Sequence, residues 1–162
     1  MGAFQQLTRG DKIVGVAGIV LFIGMIAFPW YHIGVPAITV EGHTISGGAS
    51  YDANVMKGPG SFFSIVAFIV LIALLAEFAV RRFTSVQLPS LPISWGAAEL
   101  YAALAVLVLL VIKILFHIGN FGWGFYADLL LAVVLAYGAV TMGRGPAVSQ
   151  VPAAGPRHSS VQ

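Results

Sequence analysis

The sequence predicts an all-α membrane protein, a bundle of four transmembrane helices with a small β-hairpin in the first extracytoplasmic loop. Hydrophobic residues make up 59% of the 162 residues, and only 9% are charged. A soluble domain carries about 25% charged residues, because its surface must face water. Four separate apolar stretches divide the chain, and each is about long enough to cross the hydrocarbon layer of a bilayer.

The apolar stretches lie at about residues 13–30, 62–80, 97–116 and 125–142. Lipid offers no partner for backbone N–H and C=O groups, so each stretch is predicted to be a helix that pairs its own backbone. Residues 1–145 are therefore predicted to form one four-helix transmembrane domain, with residues 31–60 as a long outer loop. Residues 146–162 form a polar cytoplasmic tail with little apolar content.

The first stretch has one alternative, a cleaved signal peptide, because Arg9 and Lys12 precede the apolar run. That run is long for a signal sequence, and Val35-Pro36-Ala37 is a poor cleavage motif. The pattern favours a span that is retained.

Lysine and arginine residues predict the orientation of the bundle. With four spans, one side of the membrane holds most of the basic residues: Arg9, Lys12, Arg81, Arg82, Arg144 and Arg157. The other side holds Lys57, and Lys113 lies inside the third span near that side. The positive-inside rule therefore predicts a multi-pass protein of the cell membrane with both termini in the cytoplasm.

The long outer loop contains a hairpin pattern. Two β-branched runs, at residues 37–40 and 43–46, flank the dipeptide Glu41-Gly42. A two-residue turn with glycine between such runs predicts two antiparallel strands. Four aromatic residues next to the span ends are predicted to anchor the helices at the membrane interface, where amphipathic rings are favoured: Trp30, Tyr31, Trp95 and Trp123.

Lys113 and Asp128 are the most informative polar residues. Each lies about one helical turn inside the outer end of its span, and the two spans share a short loop, so the residues lie at similar depth. An ionised side chain in the bilayer is costly, and pairing offsets that cost. We therefore predict an intramembrane ion pair that fixes the last two helices together, with a proton or ion relay as the alternative.

Two histidines, His32 and His117, are predicted to lie at the outer interface. They are possible ligands for haem iron, although interfacial histidines without a ligand role are the simpler interpretation. No resident cofactor and no metal site is predicted. Glu77 lies four residues before Arg81, the spacing of a helical ion pair, and Glu99 lies in a first helical turn, where an acid is favoured.

Several function classes find no support in the sequence. There is no cysteine, and the net charge of +2 arises without a basic cluster of the kind that nucleic-acid binding needs. No Ser-His-Asp arrangement, zinc-protease signature, phosphate-binding loop or paired carboxylates appears. Enzymatic activity is therefore not predicted.

The stretch Phe28-Pro29-Trp30-Tyr31, followed by a glycine-rich outer loop and three further spans, resembles small four-span membrane proteins of actinobacteria and related high-GC bacteria. The resemblance covers residues 1–145 and implies a bacterial inner-membrane protein, but it transfers no catalytic residue. The layout is also similar to the claudin-type architecture. The chain lacks the paired loop cysteines and the Gly-Leu-Trp signature of that family, so we interpret this likeness as convergence in shape.

Three functional hypotheses follow. The first is a non-enzymatic membrane subunit that packs in or stabilises a larger membrane protein assembly, in contact with lipid and other subunits or with further copies of itself. The second is a small carrier or proton-coupled transport component that uses Lys113 and Asp128. The third is an electron-transfer subunit with haem held by His32 and His117.

Overall fold

The computed structural model of this chain describes residues 7–34, 38–40, 43–46, 50–84, 86, 92–116, 119 and 121–143. Four long helices and four short strands make up this part of the chain. In chain order they are α1 (Arg9–Ala27), β1 (Tyr31–Gly34), β2 (Ile38–Val40), β3 (His43–Ser46), β4 (Ser50–Ala53), α2 (Ser61–Phe83), α3 (Trp95–Leu115) and α4 (Trp123–Gly143). All four helices are long and apolar enough to cross a membrane, as the sequence predicted.

Helix ends differ from the predicted span ends for local reasons. Helix α1 begins earlier than expected, because Thr8 and Asp11 form a reciprocal capping box that satisfies free backbone N–H groups. It also ends earlier, because the backbone is already extended at Phe28 and Pro29 follows. Helix α2 runs past its apolar stretch through Arg81 and Arg82, whose side chains find acidic partners.

The predicted hairpin is confirmed by strands β2 and β3, which pair antiparallel. Its turn, residues 41–42, lies outside the described residues. A second pair, which the sequence pattern did not predict, joins β1 and β4 antiparallel, with His32 facing Asp52 in register. Because β1 follows α1 and β4 precedes α2 by a few residues, this pair brings the two ends of the outer loop together.

The helices are arranged in a ring in the order α1, α4, α3, α2, and α1 packs most extensively on α4. The contact between α1 and α2 is the smallest of the four. Small residues allow the close packing of α1 on α4. A Cβ atom added to Gly138 would lie 2.8 Å from Ile13 Cγ2 and 3.1 Å from the backbone nitrogen of Val14.

Large apolar side chains also cover the outside of the bundle. Phe62, Leu130 and Leu115 are 69%, 65% and 71% exposed, while the interior contains aliphatic and aromatic residues together with several charged ones. A helix in water is apolar on one stripe only, so a bundle that is apolar on both faces has the surface of a lipid-embedded protein.

Gly138→Ala is expected to lower the free energy of unfolding by about 1–3 kcal/mol, because the added methyl group meets backbone and cannot be accommodated without separating α1 from α4. The measurement is unfolding in mixed detergent micelles, followed by circular dichroism. Gly96→Ala is the matched control, since no atom lies within 4 Å of a Cβ placed there. Equal stability of the two variants would contradict the close α1–α4 packing.

Candidate functional site

At the loop end of the bundle, Asp128 on α4 is fully buried and accepts a hydrogen bond from Trp30 Nε1 at 2.7 Å. Trp30 itself is fully buried, and its backbone N–H donates to the carbonyl of Ala53 at 2.8 Å. The chain leaves α1 in an extended conformation at Pro29, directly before Trp30. Gly24 leaves the space that the carboxylate occupies, because a Cβ at this position would collide with Asp128 Oδ1. Asp128 therefore holds the start of the outer loop against the bundle.

The α3–α4 connection packs on the same turn. The backbone N–H of Gly122 donates to the carbonyl of Trp30 at 2.7 Å, and that of Gly124 donates to the carbonyl of Pro29 at 3.0 Å. The ring of Phe125 meets the Trp30 indole edge-on, with ring centres 5.3 Å apart. Side chains at the two glycines would collide with the backbone of Pro29, so glycine is needed for this approach.

Lys113 on α3 is also fully buried, and its ammonium group holds the other end of the loop. Lys113 Nζ donates to the carbonyls of Lys57 at 3.2 Å and Pro59 at 3.3 Å. The backbone turns back at Gly58 and Gly60, which have φ of 79° and 70°, and this exposes the carbonyls to the lysine. Two carbonyl dipoles thus offset the cost of burying the ammonium group.

The ring of Tyr31 completes the surroundings of Lys113, whose Nζ lies 5.5 Å from the ring centre. Burial raises the pKa of the Tyr31 hydroxyl above its usual range, because desolvation disfavours the phenolate. The ring therefore stays neutral at physiological pH and presents its π face to the cation. The neighbouring Trp30 ring is 6.4 Å away, edge to face.

The predicted ion pair between Lys113 and Asp128 is not among the ion pairs of the described residues. Asp128 binds the start of the outer loop, and Lys113 binds its end. The adjacent residues Trp30 and Tyr31 contact Asp128 and Lys113, respectively. The physical reason is that other groups lie closer: the Trp30 indole N–H donates to one oxygen of Asp128, and two backbone carbonyls accept from Lys113. Asp128 Oδ1 accepts no hydrogen bond within the described part of the chain.

Trp30 and Tyr31, two of the four predicted interface anchors, are buried inside the protein. They are 0% and 3% exposed and form the junction between loop and bundle. Trp123, by contrast, is 60% exposed, and Trp95 is partly exposed at the start of α3. Position next to a span end did not indicate which of the four rings turn inward.

The opposite end of the bundle carries ion pairs between helices. Arg81 lies 3.0 Å from Glu77 on its own helix, which confirms the predicted local pair. Arg81 also binds Glu99 on α3 at 2.7 Å, and Arg82 binds Asp11 on α1 at 2.6 Å. Neither cross-helix pair was predicted from the sequence, because consecutive arginines at the end of a span have the pattern of an ordinary orientation signal.

Of the two histidines in the haem hypothesis, one lies within the described residues and the other does not. His32 is exposed on β1, and its Nδ1 lies 2.9 Å from Asp52 Oδ1 across the strand pair. His117 lies outside the described residues. No group of three or more His, Asp or Glu side chains with the geometry of a metal site occurs in the described ranges. The haem and transport hypotheses both stay predictions.

No family model, curated protein or solved structure matches this chain. The geometry is therefore the basis for a functional assignment. Within it, the two buried charges act as a pair of hydrogen-bonding clamps, Asp128 on Trp30 and Lys113 on the turn at residues 57–60. We refer to them as the Asp128 clamp and the Lys113 clamp.

Trp30→Phe is expected to lower the free energy of unfolding by about 1–3 kcal/mol, because the indole N–H is the donor to a buried carboxylate. In an Asp128→Ala background the same change should cost less than about 0.5 kcal/mol, since its partner is already gone. Unfolding titrations of the four proteins give the coupling energy. Trp95→Phe is the control and should be neutral; additive effects of the two changes would rule out the Asp128 clamp.

Lys113→Met is expected to leave the helices intact while it releases the turn at residues 57–60, because two carbonyls lose their donor. Amide hydrogen exchange in residues 54–63 should accelerate by about tenfold, the equivalent of two lost hydrogen bonds of about 0.7 kcal/mol each. Lys57→Met is the matched control, since that side chain is exposed in the same turn. Exchange that is unchanged in Lys113→Met would contradict the Lys113 clamp.

Proposed function

We propose that this chain is a non-enzymatic integral membrane subunit that packs in or stabilises a larger membrane protein assembly. The observation that carries the proposal is the use of both intramembrane charges, Lys113 and Asp128, to hold the two ends of one outer loop. A membrane protein keeps costly buried charges for a purpose. In this chain, their hydrogen bonds fix a small β structure on top of the bundle.

The outer loop, held by Asp128 and Lys113, supports a role in recognition. It consists of two strand pairs with short connections. Each pair carries a large exposed side chain, Ile38 at 57% and Tyr51 at 55%. Aromatic and aliphatic side chains held on a rigid backbone suit a protein interface, because little conformational entropy is lost on binding. The loop is accordingly the part of the chain that we assign to contact with a partner subunit.

The surface of the helices supports a membrane location. All four helices are long and apolar enough to span a membrane, and their outward faces carry large aliphatic and aromatic side chains. Lipid, other subunits or further copies of the chain are the proposed neighbours of these faces. The sequence contains no recognisable catalytic motif, which favours a structural subunit over an enzyme.

The distribution of basic residues supports a location of both termini in the cytoplasm. Arg9, Lys12, Arg81 and Arg82 lie at one end of the bundle, and Lys57 lies at the other. By the positive-inside rule the strands then lie on the extracytoplasmic side.

Single-cysteine labelling tests this topology directly, because the chain contains no cysteine. Tyr51→Cys is expected to react with a membrane-impermeant maleimide in intact cells, and Val86→Cys only after the membrane is opened. Both side chains are exposed, at 55% and 63%. Leu130→Cys, at 65% exposed in the middle of α4, should resist labelling in either case, because lipid covers it. Labelling of Val86→Cys in intact cells would reverse the orientation.

A partner subunit is tested by extracting the tagged full-length chain from its native membrane into lipid nanodiscs. We expect a second membrane protein in a fixed stoichiometric ratio. The double change Ile38→Ala and Tyr51→Ala should reduce this ratio at least about fivefold, equivalent to a loss of about 1 kcal/mol at an interface. Ile69→Ala is the control, since this side chain is 59% exposed on α2, away from the loop. Recovery of a strictly solitary monomer would overturn the proposal.

A further inference from the structure

A groove of about 520 Å³ lies between α1 and α2 at the end of the bundle that carries the cross-helix ion pairs. It occurs where the ring of helices packs least tightly. Its walls are almost wholly apolar, and the side chains that define its length include Val16, Ile19, Leu75, Phe78 and Phe83. Val16 and Ile19 are 64% and 55% exposed, so no part of the described chain covers this face.

The depth of the groove depends on a glycine. A Cβ atom at Gly15 would lie 3.2 Å from Phe78 Cε1, which is closer than most side-chain contacts. The absence of a side chain at this position therefore keeps space open beside the Phe78 ring. The volume falls in the range of small-molecule sites, about 300–1,000 Å³. An elongated apolar space along two helices suits a hydrocarbon chain.

The mouth of the groove carries positive charge. Lys12 lines it, and Arg9 lies one helical turn earlier on the same helix; both side chains are exposed. Neither makes an ion pair within the described residues. The acidic residue at the mouth, Asp11, already binds Arg82 at 2.6 Å and accepts the N–H of Thr8 at 2.8 Å. The two free cations are therefore not neutralised by it.

We propose that the groove binds one acyl chain of an anionic phospholipid, with the lipid phosphate against Lys12 and Arg9. Basic pockets between helices at the cytoplasmic side of a membrane are suited to anionic lipid headgroups. The proposed orientation places the mouth at that side. The inference rests on the bundle lying in a membrane, but it does not need a partner subunit.

The test uses the purified full-length chain in mild detergent, with phosphatidylglycerol or phosphatidylcholine of the same acyl length added, and native mass spectrometry as the readout. Phosphatidylglycerol is expected to bind at least about tenfold more tightly, because two basic residues each contribute about fivefold next to an anionic headgroup. The double change Arg9→Gln and Lys12→Gln should remove this preference while the protein stays folded. Lys57→Gln, at the other end of the bundle, should retain it.

A second variant tests the apolar part of the site. Ala79→Phe places a ring in the groove, because Ala79 lines it, and should abolish binding of both lipids. Ala76→Phe is the matched control, an exposed alanine on the same helix that does not line the groove, and should bind as the unchanged chain does. Circular dichroism confirms folding in each case.

Three results would overturn the proposal. They are equal binding of the two lipids, a preference that persists in the Arg9 and Lys12 double variant, and a dimer of the chain that Ala79→Phe converts to monomer. The last result would assign the groove to a second copy. Because these measurements use the isolated chain, their failure is distinct from the absence of a partner subunit in the native membrane.

Discussion

Two buried charges determine how the outer part of this protein is built. An ionised group in hydrocarbon costs several kcal/mol unless polar partners surround it, so Lys113 and Asp128 each require such partners. Direct pairing would have satisfied both and tied α3 to α4. Instead the carboxylate takes the indole N–H of Trp30, and the ammonium takes two carbonyls of the turn before α2. The charged groups on α3 and α4 need polar partners, and by taking them from the loop they fix the path of the chain between α1 and α2.

This arrangement explains why the stretch Phe28-Pro29-Trp30-Tyr31 occurs at the end of the first helix. Proline ends the helical backbone, tryptophan reaches Asp128, and tyrosine covers Lys113. Strands β1 and β4 then pair and close the base of the loop. The motif that resembled a pair of interface anchors is a connector between the helices and the β structure.

The two ends of the bundle use different chemistry. The loop end joins the buried Asp128 carboxylate and Lys113 ammonium to neutral groups, whereas the opposite end pairs arginines on α2 with acids on α1 and α3. Between the ends, the proposed lipid surroundings would add little hydrophobic driving force for helix packing, because lipid tails are as apolar as leucine. Small residues such as Gly138 allow close van der Waals packing of α1 on α4 there, and the looser α1–α2 contact leaves the groove.

The sequence by itself determined the number of helices, their approximate limits, the β2–β3 hairpin and the local pair Glu77–Arg81. These features depend on residues close together in the chain, namely apolar run length, turn chemistry and helical spacing. Only the tertiary structure decided which partners the buried charges take. Trp30 and Asp128 are 98 residues apart, and Lys113 is more than 50 residues from the two carbonyls that it binds. The choice depends on how helices and loop pack, and no local pattern records that packing.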